Sequence, residues 1–398
     1  NSAKDMSHTR SLLSAIIAMS WTGIQAGEFT TWGNDKGIDI FLDYSAEVIS
    51  NVSGGERTGT GYNGLSSFGL DADLGQALGW EGTTLRVSGL DLHGSGIRSR
   101  VGDIMGVSNI EGYGSARLYD SWLEKSFEAK SLSLRAGLLL ADDEFATLDT
   151  AGLFFNETFG WPEFISMNTF NGGPSFYAPA LGGRLHWEPS AAIYVLLGLF
   201  DGDSLDSPDG DDTVNRHGLH WELGNGQGTI IMGEIGYRQN TGGEDVLPGV
   251  FKLGAWHHDS SFDDFGGGSA HDGTQGIYAS AEQMVYREYG DQGLAVFARA
   301  GYAPEDRSEV EYSFQFGASY IGLIPGRDID TFGLGLSHAT ISSDLPGRTS
   351  ETVTEAAYEY IMSDEFTIQS SVQWVLDPGA TDELDDALVF GLRTNLSF

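Results

Sequence analysis

The chain has 398 residues, of which 57 are acidic and 21 are Lys or Arg, so its formal net charge is −36 at pH 7. Nucleic acid is a poor partner for such an acidic chain, because both are negatively charged. The absence of cysteine excludes disulfides and thiolate chemistry. Glycine occurs 56 times, proline only 10 times, and aromatic residues make up 12 %. This mixture is typical of twisted strands with aromatic girdles and not of a disordered chain.

The N-terminal residues have the composition of an export signal. His8 and Arg10 precede an apolar stretch over residues 12–24, and Ala26 supplies a small residue at a plausible cleavage point. We therefore predict a signal peptide over residues 1–26, with 1–5 as upstream sequence, followed by a single domain over 27–398. A retained N-terminal anchor helix is the alternative. Beyond these residues no apolar run reaches the roughly 18 residues of a spanning helix, which excludes a helical membrane protein.

Alternating apolar and polar residues recur along the rest of the chain, in segments separated by Gly, Asp, Asn and Pro. Sixteen segments are predicted as strands, at residues 37–50, 65–76, 83–92, 116–127, 132–140, 181–188, 191–200, 229–238, 250–258, 276–286, 294–302, 309–322, 331–341, 352–362, 366–376 and 387–398. An even number in this range is typical of a channel-forming barrel. The predicted fold class is all-β, a transmembrane antiparallel up-and-down β-barrel.

Three connections between the predicted strands are long. Residues 94–114 are rich in glycine, residues 141–180 contain many aromatic side chains, and residues 201–217 are dense in aspartate. A connection of 40 residues, such as 141–180, normally has a function of its own in a compact barrel. We predict that it folds inward and forms a constriction.

The last predicted strand shows the alternation most clearly. Its apolar face carries Leu388, Phe390, Leu392, Leu396 and Phe398, broken only by Thr394, and its other face carries Gly391, Arg393, Asn395 and Ser397. A strand with one apolar and one polar face fits a sheet between lipid and water. The pattern therefore predicts a location in the bacterial outer membrane.

The same alternation predicts which charged side chains point into the lumen. In the strand 83–92, Leu85 and Val87 share the lipid face, so Arg86 faces inward; in 132–140 the same argument turns Arg135 inward. The other charges predicted to face the lumen are Arg184, Arg238, Lys252, Arg299, Arg393, Glu234, Glu355 and Glu359. Inward placement alone is weak evidence of function, because Arg at the bilayer midplane costs roughly 2–4 kcal/mol on the lipid face.

The sharper prediction is a cluster of these groups at a pore constriction. Arg86 and Arg135 lie on nearby strands beside the 141–180 connection. The residues of that connection predicted to join them are Asp143, Glu144, Asn156, Glu157 and Trp161. Guanidinium and carboxylate groups bind hydroxyl groups directionally, and an aromatic face stacks on an apolar ring face. The alternative is an Arg–acid network that only fixes the connection to the wall.

An ordered series of short blocks resembles the carbohydrate-selective porin (OprB) family. The blocks are Ser133-Leu-Arg-Ala-Gly137, Asp143-Glu-Phe-Ala-Thr147, Gly152-Leu-Phe-Phe-Asn156, Phe159-Gly160, Pro179-Ala-Leu-Gly-Gly-Arg184, Gly198-Leu-Phe-Asp-Gly202, Gly218-Leu-His-Trp-Glu222, Gly326-Arg-Asp-Ile-Asp330, Gly333-Leu-Gly335, Asp377-Pro-Gly379 and Gly391-Leu-Arg393. The resemblance extends over roughly residues 30–398, and the order makes it specific where each block alone is weak. The strongly acidic balance is a departure from the family.

This resemblance implies an outer-membrane channel for passive diffusion of monosaccharides or small sugars, without catalysis and without a cofactor. It makes the predicted constriction a passage for sugars. The implied partners are sugars as permeant solutes and, around the barrel, outer-membrane lipid and lipopolysaccharide; the barrel is expected as a monomer or a homotrimer. A general or cation-preferring porin without sugar selectivity is the alternative.

Three further features of the sequence bear on metal or catalytic chemistry. The acidic stretch 201–212 lacks the ligand spacing of an EF-hand loop, so a solvated loop is favoured. His271, next to Asp272 in a glycine-rich segment, is interpreted as solvent-facing, and no metal site is predicted. No Gly-x-Ser-x-Gly motif occurs, so we expect no enzyme of the serine-hydrolase type.

Overall fold

The computed structural model describes residues 36–211, 213–224, 226–240 and 246–398. The predicted signal peptide, residues 1–26, lies outside the described residues. The strands are β1 Ile38–Ser53, β2 Gly59–Asp73, β3 Thr83–Gly94, β4 Ser115–Leu118, β5 Ser121–Phe127, β6 Leu132–Leu139, β7 Ala180–Ser190, β8 Ile193–Asp201, β9 Thr229–Gln239, β10 Gly249–Phe262, β11 His271–Arg287, β12 Gly293–Tyr302, β13 Val310–Ile321, β14 Thr331–Ile341, β15 Ser350–Ser363, β16 Phe366–Leu376 and β17 Ala387–Ser397.

Strands that follow each other in sequence pair antiparallel, except β4 with β5, and β17 also pairs with β1, which closes the sheet. The short strands β4 and β5 both pair with β3, so they are two segments of one barrel strand. Across the described residues the barrel therefore has sixteen strands, which confirms the predicted number and fold class. A closed barrel leaves no unpaired edge.

The helices are short and lie in the connections. They are α1 Leu74–Leu78, α2 Arg98–Val101 and α3 Glu163–Ser166, with 3₁₀ turns at Glu128–Lys130, Asp149–Ala151, Glu157–Phe159, Phe170–Gly172 and Pro378–Ala380. In the described part of the chain no helix has both the length and the apolar character needed to cross a membrane.

Two of the differences from the predicted strands have local causes. Residues 74–76 belong to α1, because the Asp73 carboxylate accepts the backbone N–H groups of Gly75 (2.8 Å) and Gln76 (3.3 Å) and so begins a helix. The predicted strand 116–127 is interrupted after β4. There the backbone ladder with β3 is broken. Ser88 of β3 makes side-chain hydrogen bonds instead, and its hydroxyl donates to the carbonyl of Asp120 at 2.7 Å.

The two faces of the barrel differ as the alternation predicted. On the outer face Leu253, Leu334 and Leu392 are more than half exposed, as expected for side chains that face lipid. On the inner face of β17, Val389 and Arg393 are buried. The outward and inward assignments for the terminal strand are therefore confirmed.

The buried core lies inside the barrel, where residues between β6 and β7 contact the far wall. Three of their rings lie against wall glycines: Phe155 against Gly391, Phe159 against Gly335, and Phe164 against Gly301. A Cβ atom on Gly335 would be 2.7 Å from the Phe159 ring, and one on Gly391 would be 2.9 Å from the Phe155 ring. The absent side chains thus make room for the rings. That the connection narrows the pore stays a prediction.

Candidate functional site

Carboxylates on the inner wall accept backbone N–H groups from the connections. Glu355 on β15 accepts the N–H of Phe155 at 2.8 Å and that of Asn156 at 3.1 Å. Glu234 on β9 accepts the N–H of Ala146 at 2.9 Å. Glu282 on β11 accepts the N–H of Thr150, and Glu351 on β15 accepts the N–H groups of Ile104 and Met105. Buried N–H groups without strand partners are satisfied by these charge-assisted bonds, which fix the connections to the wall.

Arg299 on β12 does the reverse and binds carbonyl groups. Its guanidinium donates to the carbonyls of Ala146 and Thr158, both at 2.5 Å, Gly160 at 3.1 Å and Phe159 at 3.2 Å. The side chain is 1 % exposed. Arg299 therefore holds the middle of the 141–180 connection and does not meet a permeant solute.

Arg393 has a similar role for the long connection 94–114. Arg393 forms an ion pair with Glu47 at 2.6 Å and donates to the Asn109 side chain at 2.8 Å, and the ring of Phe155 lies 4.1 Å from its guanidinium carbon. Glu47 in turn accepts the Ser108 hydroxyl at 2.6 Å. The residues between β3 and β4 are thereby fixed to β1 and β17.

A second group of inner-wall charges consists of one buried arginine and three charges that keep contact with solvent. Arg135 on β6 pairs with Glu124 on β5 at 2.9 Å and with Glu144 at 3.2 Å. Arg184 on β7 pairs with the same two carboxylates, at 2.7 Å to Glu124 and 2.5 Å to Glu144. The guanidinium of Arg135 also stacks 3.9 Å from the Trp122 ring. These four charges form an alternating square in which Arg135, Glu124 and Glu144 are about one-fifth exposed.

Arg86 extends this group along the wall. It pairs with Asp120 at 2.9 Å and with Asp71 at 3.1 Å, and its side chain is 31 % exposed. We refer to Arg86, Asp71, Asp120, Glu124, Arg135, Glu144 and Arg184 together as the wall cluster. Its three bases and four acids leave one net negative charge.

The start of the 141–180 connection lies beside the wall cluster. Asp143 is exposed, and Asp142 accepts the backbone N–H of Phe176 at 2.9 Å. Burial raises the pKa of the Asp142 carboxyl to about 6, and the Phe176 hydrogen bond opposes that shift. Tyr119 and Phe176 meet edge to face with ring centroids 6.5 Å apart, and both rings are partly exposed. Charged and aromatic groups therefore lie together at this place.

The other predicted constriction residues lie elsewhere. Asn156 is fully buried and donates to Gln373, and Trp161 is 8 % exposed with its indole N–H on the carbonyl of Gly172 at 2.8 Å. Both pack inside the protein, contrary to the expectation of lumen-facing side chains. Glu157 forms an ion pair with Arg98, which links the connection 141–180 to the connection 94–114.

The remaining predicted lumen charges have wall partners. Arg238 on β9 pairs at 2.8 Å with Glu188, which lies on β7 as Arg184 does. Lys252 donates to the Thr147 carbonyl at 2.7 Å, and Glu359 accepts from Gln369 at 3.1 Å.

Sequence reasoning missed Glu124 and Asp120, the acids at the centre of the wall cluster. The reason is the interruption between β4 and β5. It shifts the alternation, so that Leu118 and Leu123 face the same side although one number is even and the other odd. Reading β5 by itself, with Leu123 and Phe127 outward, would have turned Glu124 inward.

A closed barrel with an apolar outer face and a charged interior defines an outer-membrane channel protein. The chain belongs to the family described as carbohydrate-selective porin, OprB family, which matches residues 57–398. It is thus an outer-membrane porin of the sugar-diffusion class, and proteins of this class are channels and not enzymes. The predicted family and function are confirmed, and the sugar channel is favoured over the general porin.

Similar proteins agree with this assignment. Porin B of Pseudomonas aeruginosa is 25 % identical over 92 % of this chain and 88 % of that protein. The protein named putative porin QuiX of Acinetobacter baylyi is 22 % identical over 92 % of both chains. The high-pH structure of Pseudomonas putida OprB superposes with a TM-score of 0.81 at 22 % identity, covering 94 % of this chain and 97 % of that one.

Proposed function

We propose that sugars cross this porin along the wall cluster, which supplies the constriction's hydrogen-bonding surface. The observation that carries the proposal is that Arg86, Arg135, Glu124 and Glu144 stay one-fifth to one-third exposed, whereas the anchors Arg299 and Glu355 are buried. Only exposed groups can exchange a protein partner for a solute. Selectivity in a pore is set by such groups at its narrow part.

The pairing of charges suits a neutral polyhydroxyl solute. A sugar hydroxyl both donates and accepts, so it can bind between a guanidinium and a carboxylate without leaving either unpaired. An isolated arginine would instead attract anions. The exposed faces of Tyr119 and Phe176 supply apolar surface for the C–H side of a sugar ring. Asp143 adds an exposed acceptor at the same place.

The test is sugar block of single-channel current, with liposome swelling in glucose. In Arg135→Gln we expect about tenfold weaker sugar block, since one charge-assisted hydrogen bond contributes about 1.4 kcal/mol. Arg86→Gln should act in the same direction.

The matched control is Arg238→Gln, which removes a partly exposed arginine and its ion pair with Glu188, neither of which belongs to the wall cluster. Its sugar block should equal that of the wild type. If Arg86→Gln and Arg135→Gln also leave block and swelling unchanged, the wall cluster is not the sugar path.

The surroundings of the barrel form a second part of the proposal. The apolar outer face would contact lipid and lipopolysaccharide as a monomer or homotrimer, and residues 1–26 would be removed on export. Cross-linking in outer-membrane vesicles and N-terminal sequencing of the mature protein test these points; a mature chain that retains residues 1–26 would exclude a cleaved signal peptide.

A further inference from the structure

Three metal-binding side chains meet at the barrel end that carries the long connections. His271 is the first residue of β11, Asp264 lies between β10 and β11, and Asp306 lies between β12 and β13. The His271 Nε2 atom is 2.9 Å from Asp264 Oδ2 and 3.5 Å from Asp306 Oδ2. The expectation that His271 only faces solvent was therefore wrong, because an acidic pair surrounds its ring nitrogen.

Each carboxylate is oriented by a further contact, which leaves a lone pair on the oxygen atom that faces His271. The backbone N–H of Gly268 binds Asp264 Oδ1 at 2.9 Å, so Oδ2 remains turned toward His271. Arg307 holds Asp306 through both oxygens, at 2.8 and 3.1 Å. A carboxylate oxygen has two lone pairs, and Asp306 Oδ2 uses one for Arg307. Outer contacts of this kind orient metal ligands in proteins.

Hydrogen bonding alone leaves this arrangement incompletely satisfied. A neutral imidazole carries at most one proton on Nε2, and two carboxylates compete for it. The neighbouring residues in sequence add the acidic side chains of Asp263, Asp272 and Glu305. Arg307 is the nearby base that pairs with the group, and it already serves Asp306. The three ligand atoms thus form an electronegative point that favours a cation.

We propose that Asp264, His271 and Asp306 bind one divalent transition-metal ion, for which Zn²⁺ is the probe. With metal–ligand bonds of about 2.1 Å, ligand atoms in tetrahedral or octahedral sites are about 3.0–3.4 Å apart. The observed separations of 2.9 and 3.5 Å come close to this range, and all three ligand atoms lie within 4.8 Å of one another. An imidazole nitrogen with two carboxylate oxygens suits zinc and its neighbours better than calcium or magnesium.

The bound ion would join two hairpin connections at the channel's rim. It needs no movement of β11, and the run Gly266 to Gly268 between Asp264 and His271 allows small adjustments of the carboxylate. In residues 36–211, 213–224, 226–240 and 246–398, no other group of three such ligand atoms approaches as closely. Water would complete the coordination on the solvent side. The site is independent of the sugar path.

A matched control lies in the connection between β8 and β9. His220 Nδ1 is 2.9 Å from Asp206 Oδ2, and the other oxygen of Asp206 accepts from the backbone of Glu222 and the side chain of Gln227. This is a His–Asp pair of the same length without a third ligand from the described residues. His220→Ala therefore removes an equivalent histidine without touching the proposed centre.

The experiment is calorimetric titration of Zn²⁺ into the purified full chain in detergent. We expect one zinc per chain for the wild type and for His220→Ala, and at least about tenfold weaker binding for His271→Ala and Asp264→Asn. Heat-modifiable migration on a gel shows that each variant is a folded barrel. X-ray absorption of the zinc complex should show nitrogen and oxygen neighbours only.

The proposal is overturned if the folded wild type binds no zinc, which would leave a simple ion-pair contact between the two connections. It is also overturned if His271→Ala binds zinc as tightly as the wild type does. Sugar block is unaffected in either case, so failure here is distinct from failure of the sugar path.

Discussion

At the scale of single residues, inner-wall charges divide into buried anchors and a wall cluster whose members other than Arg184 and Asp120 are partly exposed. Arg299 and Glu355 are chemically similar to Arg135 and Glu144, and all four face inward. The difference is coverage: backbone groups of the 141–180 connection surround the first pair, and solvent reaches the second. The same residue type therefore serves the fold in one place and, by our proposal, the solute in another.

Arg299 offers the clearest test of an anchor. In Arg299→Met the four carbonyl groups that it binds lose their donor, and each buried polar group left unpaired costs about 1–3 kcal/mol. We expect the free energy of unfolding to fall by at least about 3 kcal/mol. Urea unfolding of the barrel in detergent measures this change.

The control for this prediction is Arg348→Met. Arg348 pairs with Glu309 and is 30 % exposed, so its loss should change the unfolding free energy by less than about 1 kcal/mol. Equal effects of the two substitutions would show that Arg299 does not hold the connection.

Sequence alternation could predict that Arg299, Glu355 and Arg393 point inward, since that depends only on near neighbours. It could not predict which of them the connection covers. Coverage depends on contacts between residues 140–200 positions apart, such as Phe155 with Glu355 and Thr158 with Arg299. For the same reason Asn156 and Trp161 were expected in the lumen although they pack against the wall.

At the scale of elements, the strand is the most predictable unit. The strand 331–341 was predicted with its observed bounds, because period-two alternation is a local property. Two of the errors arose where side chains replaced backbone partners, at Asp73 before α1 and at Ser88 beside β4 and β5. The starts of β2 at Gly59 and of β11 at His271, predicted at residues 65 and 276, were missed as well. A short helix and a break in a ladder are both products of such side-chain bonds.

The outer face of β17 allows a quantitative prediction. Leu392→Arg places a charge on the lipid side and should lower the unfolding free energy by roughly 2–4 kcal/mol. Ser397→Arg places the same charge on the inner side near the strand end, where the cost should be about 0–1 kcal/mol. Urea titration in lipid vesicles compares the two. A larger loss for Ser397→Arg would reverse the assignment of faces.

At the scale of the whole molecule, the formal charge of −36 should make the open channel prefer cations. The preference should weaken between 0.1 M and 1 M KCl, because the screening length falls from about 10 Å to about 3 Å. Reversal potentials in a salt gradient measure it. An anion preference at low salt would contradict this prediction.

Two substitutions show where that preference arises. Glu144→Gln, in the wall cluster, should reduce cation selectivity more than Asp209→Asn, which neutralises an exposed acid in the connection between β8 and β9. Sugar passage carries no charge, so glucose swelling of the wild type should not follow salt concentration. Equal effects of the two substitutions would place selectivity at the rim.

The glycines opposite Phe155, Phe159 and Phe164 have a consequence for assembly. The three rings belong to a segment synthesised before β12, β14 and β17, which carry their receiving glycines. The space on the wall that accommodates each ring therefore exists only after most of the chain has been made and the late strands have paired. Swapping this segment into a related barrel requires the matching glycines on distant strands, so segment and wall have to be exchanged as a unit.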